Sequence, residues 1–325
     1  MIEWKAFELH THTCHSDGQF TPEKLCYQAA ENLYDGIAIT DHNTMSAFGE
    51  IDKDLERKTV AVIRGIEWTT FYGHMLVLGA EKYIDWRFYK PDNIDEAINL
   101  IKESNGVVGI AHPFAMGNPI CTGCRWEFNI ENWDNVDYIE VWSESWPLVQ
   151  LHNTFAFRLW TDLLNKGFRL SATSGRDWHS NDNPQKHYAV TYLGVDGSEL
   201  NHWTALQAIR NGRTYVTAGP QLDFNVIGEG KTAYPGDTVR RGYIQMCLQA
   251  KVEHRKEIWG GYGISPKYFK LIENGNEIYR CNASEGQSIE VRLPVQKGWI
   301  RAELYGEYMG FNDMMIAFTS PVYIE

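Results

Sequence analysis

Along the first two-thirds of the chain, short apolar runs alternate with segments of helical periodicity. GIAIT (36–40), VAVIRGI (60–66), VVGIA (107–111), VDYIEVW (136–142) and FRLSAT (168–173) are rich in β-branched residues and read as strands. Amphipathic stretches lie between them. TPEKLCYQAAENL offers Thr21 as N-cap, Pro22 at the first helical position, and Leu25, Ala29 and Leu33 on one stripe. NIDEAINLIKESNG sets Ile94, Ile98 and Ile101 on a stripe, with Gly106 near its end. LVQLHNTFAFRLWTDLLNKG does the same with Leu148, Leu151, Phe155, Leu159 and Leu163, closed by Gly167. Strands alternating with helices predict parallel βα units.

Beyond Pro220 the helical period disappears. LDFNVIG, YIQMCLQA, YFKLIENGNEIYR, SIEVRL, WIRAELY and MMIAFT read as strands, and Asn274-Gly275 between two alternating runs signals a hairpin. The pattern therefore predicts an α/β unit over 1–219 and a small all-β sandwich over 220–325. A length of 325 residues agrees with about two domains.

Composition narrows the function classes. A net charge of −12 argues against general nucleic-acid binding through a basic surface. No apolar run approaches the roughly 18 residues of a membrane span. Glu3, Lys5 and Glu8 interrupt the start of the chain, so no secretory signal is expected and the cytoplasm is the default location. The six cysteines are too sparse for a disulfide framework. Their one close pair, Cys121 and Cys124 in CTGC, reads as reduced thiols on a loop. Oligomeric state is not legible.

The candidate chemistry begins with ELHTHTCHSDG. Residues i and i+2 of a strand share a face, so His10 and His12 can aim two imidazoles at one point, a good start for a transition-metal site. Further acids and imidazoles follow the predicted strands: Asp41-His42, Glu67, His112, and Asp177-x-His179. In barrels of parallel strands, functional groups gather at such C-terminal ends. His74 differs, since it opens the apolar run of YGHMLVLG.

The ordered series HTHTCHSDG, ITDH, GIEWTTFYGH, IAHP and SGRDWH resembles the PHP (polymerase and histidinol phosphatase) family of metal-dependent phosphoesterases, over roughly residues 6–220. The resemblance implies a distorted (β/α)7 barrel of parallel strands with two or three divalent metals at its mouth. It implies one ion on His10, His12, Glu67 and Asp177. A second would lie on Glu67, His74 and His112, bridged by Glu67, and a third on Asp17, His42 and His179. Asp41 would orient an imidazole, and Glu67 and Asp177 would also serve catalysis. IEVWSES, GRTYVTAGP, LIENGNEI and WIRAELYGE are similar, more loosely, to a carbaryl-hydrolase-like branch with a C-terminal β-sandwich.

Such ions can acidify bound water to a pKa of about 7, generating a bridging hydroxide that attacks a phosphate mono- or diester. Zn, Mn or Fe would each suit a His/carboxylate donor set. Arg176 reads either as a bidentate phosphoryl contact or as a salt-bridge partner, and His15 either as a substrate contact or as a loop residue. Trp142, Trp146 and Trp178 read as pocket walls or as core. The leading expectation is a phosphoesterase acting on a small-molecule phosphate ester. A carboxyl or carbamate ester hydrolase with the same centre, and a non-catalytic metal-stabilised binding protein, are the alternatives.

Overall fold

A computed structural model describes residues 2–116, 125–181, 185–197, 199–284 and 286–325. Cys121 and Cys124 lie outside them; among the described residues Cys14, Cys26, Cys247 and Cys281 are free thiols.

Seven strands carry the first half: β1 (Ile2–Thr11), β2 (Gly36–Ile39), β3 (Ala61–Thr70), β4 (Gly73–Leu78), β5 (Val107–Ile110), β6 (Tyr138–Ser143) and β7 (Ser171–Gly175). They neighbour one another in chain order. Just past β7, Trp178 bridges back to Thr11 of β1, with the His12 amide on the Trp178 carbonyl at 2.9 Å, so the ring closes. The order matches a barrel of successive strands, but not one of purely parallel strands. β4 runs antiparallel to both β3 and β5. The reason is local: only Phe71 and Tyr72 separate β3 from β4, and so short a link allows a hairpin, whereas a parallel crossover needs a dozen residues or more.

Helices α1 (Pro22–Glu31), α2 (Lys53–Lys58), α3 (Ile94–Glu103), α4 (Leu151–Asn165) and α5 (His202–Arg210) pack outside the ring. Thr21 caps α1 through a 3.2 Å bond from the Lys24 amide, as its position predicts. α3 buries Ile94, Ala97, Ile98 and Ile101. α4 departs from the predicted stripe. It buries Ala156, Trp160, Leu163 and Leu164, and leaves Leu151 and Phe155 exposed. Trp160 sets this phase, because its indole N–H reaches the Leu170 carbonyl at 2.9 Å beneath the helix.

β8 (Val190–Asp196) pairs antiparallel with β1, and β9 (Thr214–Thr217) with β8. The rest is strand-rich: β10 (Gln221–Gly228), β11 (Lys231–Ala233), β12 (Thr238–Val239), β13 (Gly242–Lys251), β14 (Ser265–Glu273), β15 (Asn276–Asn282), β16 (Ile289–Val295), β17 (Gly298–Tyr308), β18 (Phe311–Thr319) and β19 (Val322–Ile324). Asn274 and Gly275 turn β14 into β15 with φ of 49° and 83°, the predicted hairpin. β10, β11, β13 and β16 form one sheet. The other strands join the sheet of the first half, since β18 pairs with β9. Leu222, Phe224, Met246 and Leu248 share one core with Phe269, Leu271, Ile300 and Leu304 of the facing layer.

Candidate metal centre

β1 delivers its side chains alternately. Leu9 and Phe7 enter an apolar core, while Glu8, His10 and, just past the strand's end, His12 take the opposite face and are buried. Glu67 lies on β3 and is also buried; His74 stands near the start of β4, His42 just beyond β2, and His112 just beyond β5. Asp177 and His179 follow β7. His112 and Asp177 hold φ of 26° and 53°, left-handed backbone that costs a non-glycine residue of order 1–3 kcal/mol. That strain turns both side chains toward the cluster.

All nine predicted ligands converge in three overlapping groups. In the first, His10 Nε2 lies 3.4 Å from Glu67 Oε2 and 3.3 Å from Asp177 Oδ1, and His12 Nε2 lies 3.5 Å and 2.9 Å from the same oxygens. In the second, Glu67 Oε1 stands 2.8 Å from His74 Nδ1 and 3.3 Å from His112 Nε2. In the third, Asp17 Oδ1 lies 3.4 Å from His42 Nε2 and 3.1 Å from His179 Nε2, with His12 alongside. Glu67 gives one oxygen to each of the first two groups. The third group is the open one: the Asp17 side chain is 60% exposed, against 0% for Glu67.

The donor set fits divalent ions. His10 Nε2, His12 Nε2, Glu67 Oε2 and Asp177 Oδ1 are buried, close together, and without a hydrogen-bond partner. Four unsatisfied polar atoms facing one point would cost several kcal/mol unless something binds them. Burial alone would raise the Glu67 carboxyl, but the imidazoles of His10, His112 and His42 hold it well below the usual carboxylate range. Burial likewise opposes ionisation of Asp177, and His10 and His12 hold it low. Both acids are thus anionic acceptors for cations.

Gly175 keeps this arrangement possible. A Cβ there would overlap Glu140 Oε2 and sit 2.7 Å from the His10 Cβ. Glu140, on β6, is a residue the sequence reading missed. It is buried, and its Oε2 accepts from His10 Nδ1 at 2.9 Å, which turns Nε2 toward the cluster. Glu8 was also missed, although it stands two residues before His10 on the same face. Its Oε1 accepts from the amides of His10 and Arg176, each at 3.0 Å. Burial pushes its carboxyl up to about 7, with Arg176 opposing.

Three of the named residues stand apart from the ligand groups. Asp41 orients no imidazole: its carboxylate accepts from the Thr13 amide, the Thr13 hydroxyl and the Ser16 hydroxyl, each at 2.7 Å, and so holds the HTHTCHSDG loop. Arg176 does not face the ligands. Its guanidinium is packed between Trp178 and Tyr188, 3.9 and 4.0 Å from the ring centroids, and lines a separate cavity. His15 is tied at the rim, with Nδ1 on Ser46 Oγ at 2.7 Å and Nε2 on Glu50 Oε1 at 3.0 Å. Trp142 and Trp178 are core residues, packed on Phe318 and Phe20, and Trp146 lies against Tyr262.

Known proteins are similar to this chain in sequence and in fold. Residues 8–107 match the PHP domain family model. A 68-residue stretch is 38% identical to the 5'-3' exoribonuclease Rnm of Escherichia coli strain K12, and 38% identical to that of Salmonella typhimurium strain LT2. It covers 20% of this chain and only 23% of each relative's length. Among solved structures, a two-domain protein from Bacteroides vulgatus containing a predicted PHP-like metal-dependent phosphoesterase superposes with a TM-score of 0.56 at 14% identity. That match covers 99% of this chain and 96% of that one. The fold extends over both halves of the chain, and residues 8–107 belong to the PHP domain family.

Proposed function

We propose that the protein is a metal-dependent phosphoesterase hydrolysing a phosphate mono- or diester, with its chemistry in residues 1–219 and a β-sandwich in 220–325. The carrying observation is the set of three ligand groups joined through Glu67 and His12. His10, His12, Glu67 and Asp177 would hold one ion, Glu67, His74 and His112 a second, and Asp17, His42 and His179 a third. Divalent ions at these positions supply Lewis acidity toward a phosphoryl oxygen and acidify water near neutral pH.

The chain's own residues do the rest. Glu67 balances two positive charges with one carboxylate, and Glu140 fixes the His10 ring. Thr69 and the Asp177 carbonyl hold Nδ1 of His42 and His179, leaving both Nε2 atoms toward Asp17. The third group, with the Asp17 side chain 60% exposed, is the most open of the three, and substrate enters there. Phosphate esters suit the centre because their charge needs neutralising. Zn, Mn and Fe all suit these donors.

The Rnm match favours a second substrate, RNA, within the same chemistry. Purified Mn-loaded protein should be tested with p-nitrophenyl phosphate, bis-p-nitrophenyl phosphate, p-nitrophenyl acetate and a short 5'-phosphorylated RNA. Metal-dependent turnover of any phosphoester supports the proposal. Turnover of the acetate alone would make the protein a carboxyl ester hydrolase, and no turnover of any of the four would favour a binding role.

A further inference from the structure

A second cavity of about 450 Å³ lies between the first half and the strand-rich half, and none of the nine metal-centre ligands lines it. Its walls are cationic and aromatic: Arg176, Arg255, Tyr34, Tyr188, Trp259 and Tyr262. Arg255 is the unusual member. It is only 6% exposed, its Nε has no hydrogen-bond partner, and among the described residues no Asp or Glu forms an ion pair with it. Its Nη2 donates to the Asn32 carbonyl at 2.7 Å, and its guanidinium lies 4.5 Å from the Tyr34 ring centroid. Those contacts aim it but do not neutralise it. A buried cation without an anion is costly, so such a site is built for an incoming negative charge.

Arg176 brings a second buried guanidinium, stacked between Trp178 and Tyr188. Lys186 stands exposed at the rim; among the described lining residues the one acid, Glu257, is exposed as well, and buried Glu8 acts on Arg176 from behind the wall. His187, also on the wall, is buried and committed: it lies 2.6 Å from the Ala218 carbonyl and 3.0 Å from the Tyr308 hydroxyl. The volume falls in the range of small-molecule sites. Guanidinium forks match phosphoryl oxygens, and the tyrosine and tryptophan faces match a flat ring. We propose that this cavity is a binding site for a small organic phosphate carrying a planar ring, separate from the ester hydrolysed at the metal centre.

Phenylphosphonate is a suitable probe, because its C–P bond offers no ester to hydrolyse. It should be titrated by calorimetry into the 325-residue chain stripped of metal by chelation. The expected result is saturable binding at one site per chain, weakened at least about tenfold in Arg255→Gln and about threefold in Lys186→Ala. Lys186 is exposed, so its variant tests the site even if Arg255→Gln fails to fold by circular dichroism. Inorganic phosphate should bind more weakly than the probe; equal affinity would overturn the ring-binding part. Absence of saturable binding, or affinity unchanged in the folded variants, would overturn the site altogether. The titration is metal-free, so it stands or falls independently of the phosphoesterase reading.

Discussion

Glu140→Gln isolates the carboxylate that the structure adds to the expected ligand set. Glutamine keeps the volume and can still present an oxygen to His10 Nδ1, now 2.9 Å from Glu140 Oε2. What it loses is charge. A hydrogen bond to an ionised partner contributes about 1.5–3 kcal/mol, against about 0.5–1.5 for a neutral one. The difference, about 1–1.5 kcal/mol, corresponds to roughly a tenfold loss of affinity for the ion held by His10. Glu140→Ala removes the bond outright and frees the ring to rotate, so its loss should approach the upper end of the 10–100-fold range of such partners. The assay is competition for Mn²⁺ or Zn²⁺ against a chromogenic chelator, with circular dichroism as the check on folding. Wild-type affinity in both folded variants would refute the orienting role. So would a larger effect from glutamine than from alanine.

The other perturbations test neighbouring parts of the site. Glu67→Gln should cost more than 100-fold in phosphoesterase turnover, beyond the 10–100-fold scale of supporting residues, while Asp41→Asn stays within that scale because it loosens only the Thr13–Ser16 loop; equal mild losses would remove the bridging role. Asp17→Ala should bind about one ion fewer per chain by elemental analysis and keep the other two, since Asp17 belongs only to the third group; wild-type protein saturating at two ions, matched by the variant, would make the centre binuclear. Gly175→Ala should lower metal affinity about as much as Glu140→Gln and cost about 1–3 kcal/mol of stability, because the new Cβ meets Glu140 and His10; unchanged affinity and denaturation midpoint would show that the site yields freely. Burial pulls the His187 imidazole down to about 4, so above the unfolded value of about 6.5 its contribution is fully present, and it is lost as pH falls toward 4. That window is worth up to about 3 kcal/mol, and denaturant titrations of metal-free protein at pH 7.5 and 5 should show a smaller pH effect in His187→Asn than in wild type.

What could be read from the sequence, and what could not, follows from where side chains point. His10 and His12 were legible because a two-residue spacing on a strand places both on one face whatever the tertiary structure. The directions of Arg176 and Asp41 were not legible for the complementary reason. Each stands past a strand end beside a ligand, Asp177 or His42, where no strand period fixes which way a side chain points, and Asp177 itself holds left-handed backbone. Asp177 turns into the cluster while Arg176 turns out to the junction between the two halves, and His42 meets Glu67 while Asp41 meets the Thr13 loop. Spacing by two along a strand thus argues for a shared site, whereas adjacency past a strand end decides nothing. The same rule would have found Glu8, two residues before His10. It could not have found Glu140, whose role depends on a partner 130 residues away and whose setting, a single acid inside an apolar run, looks like any strand with one polar position. A buried acid in such a run needs a donor, and here the donor is a ligand imidazole.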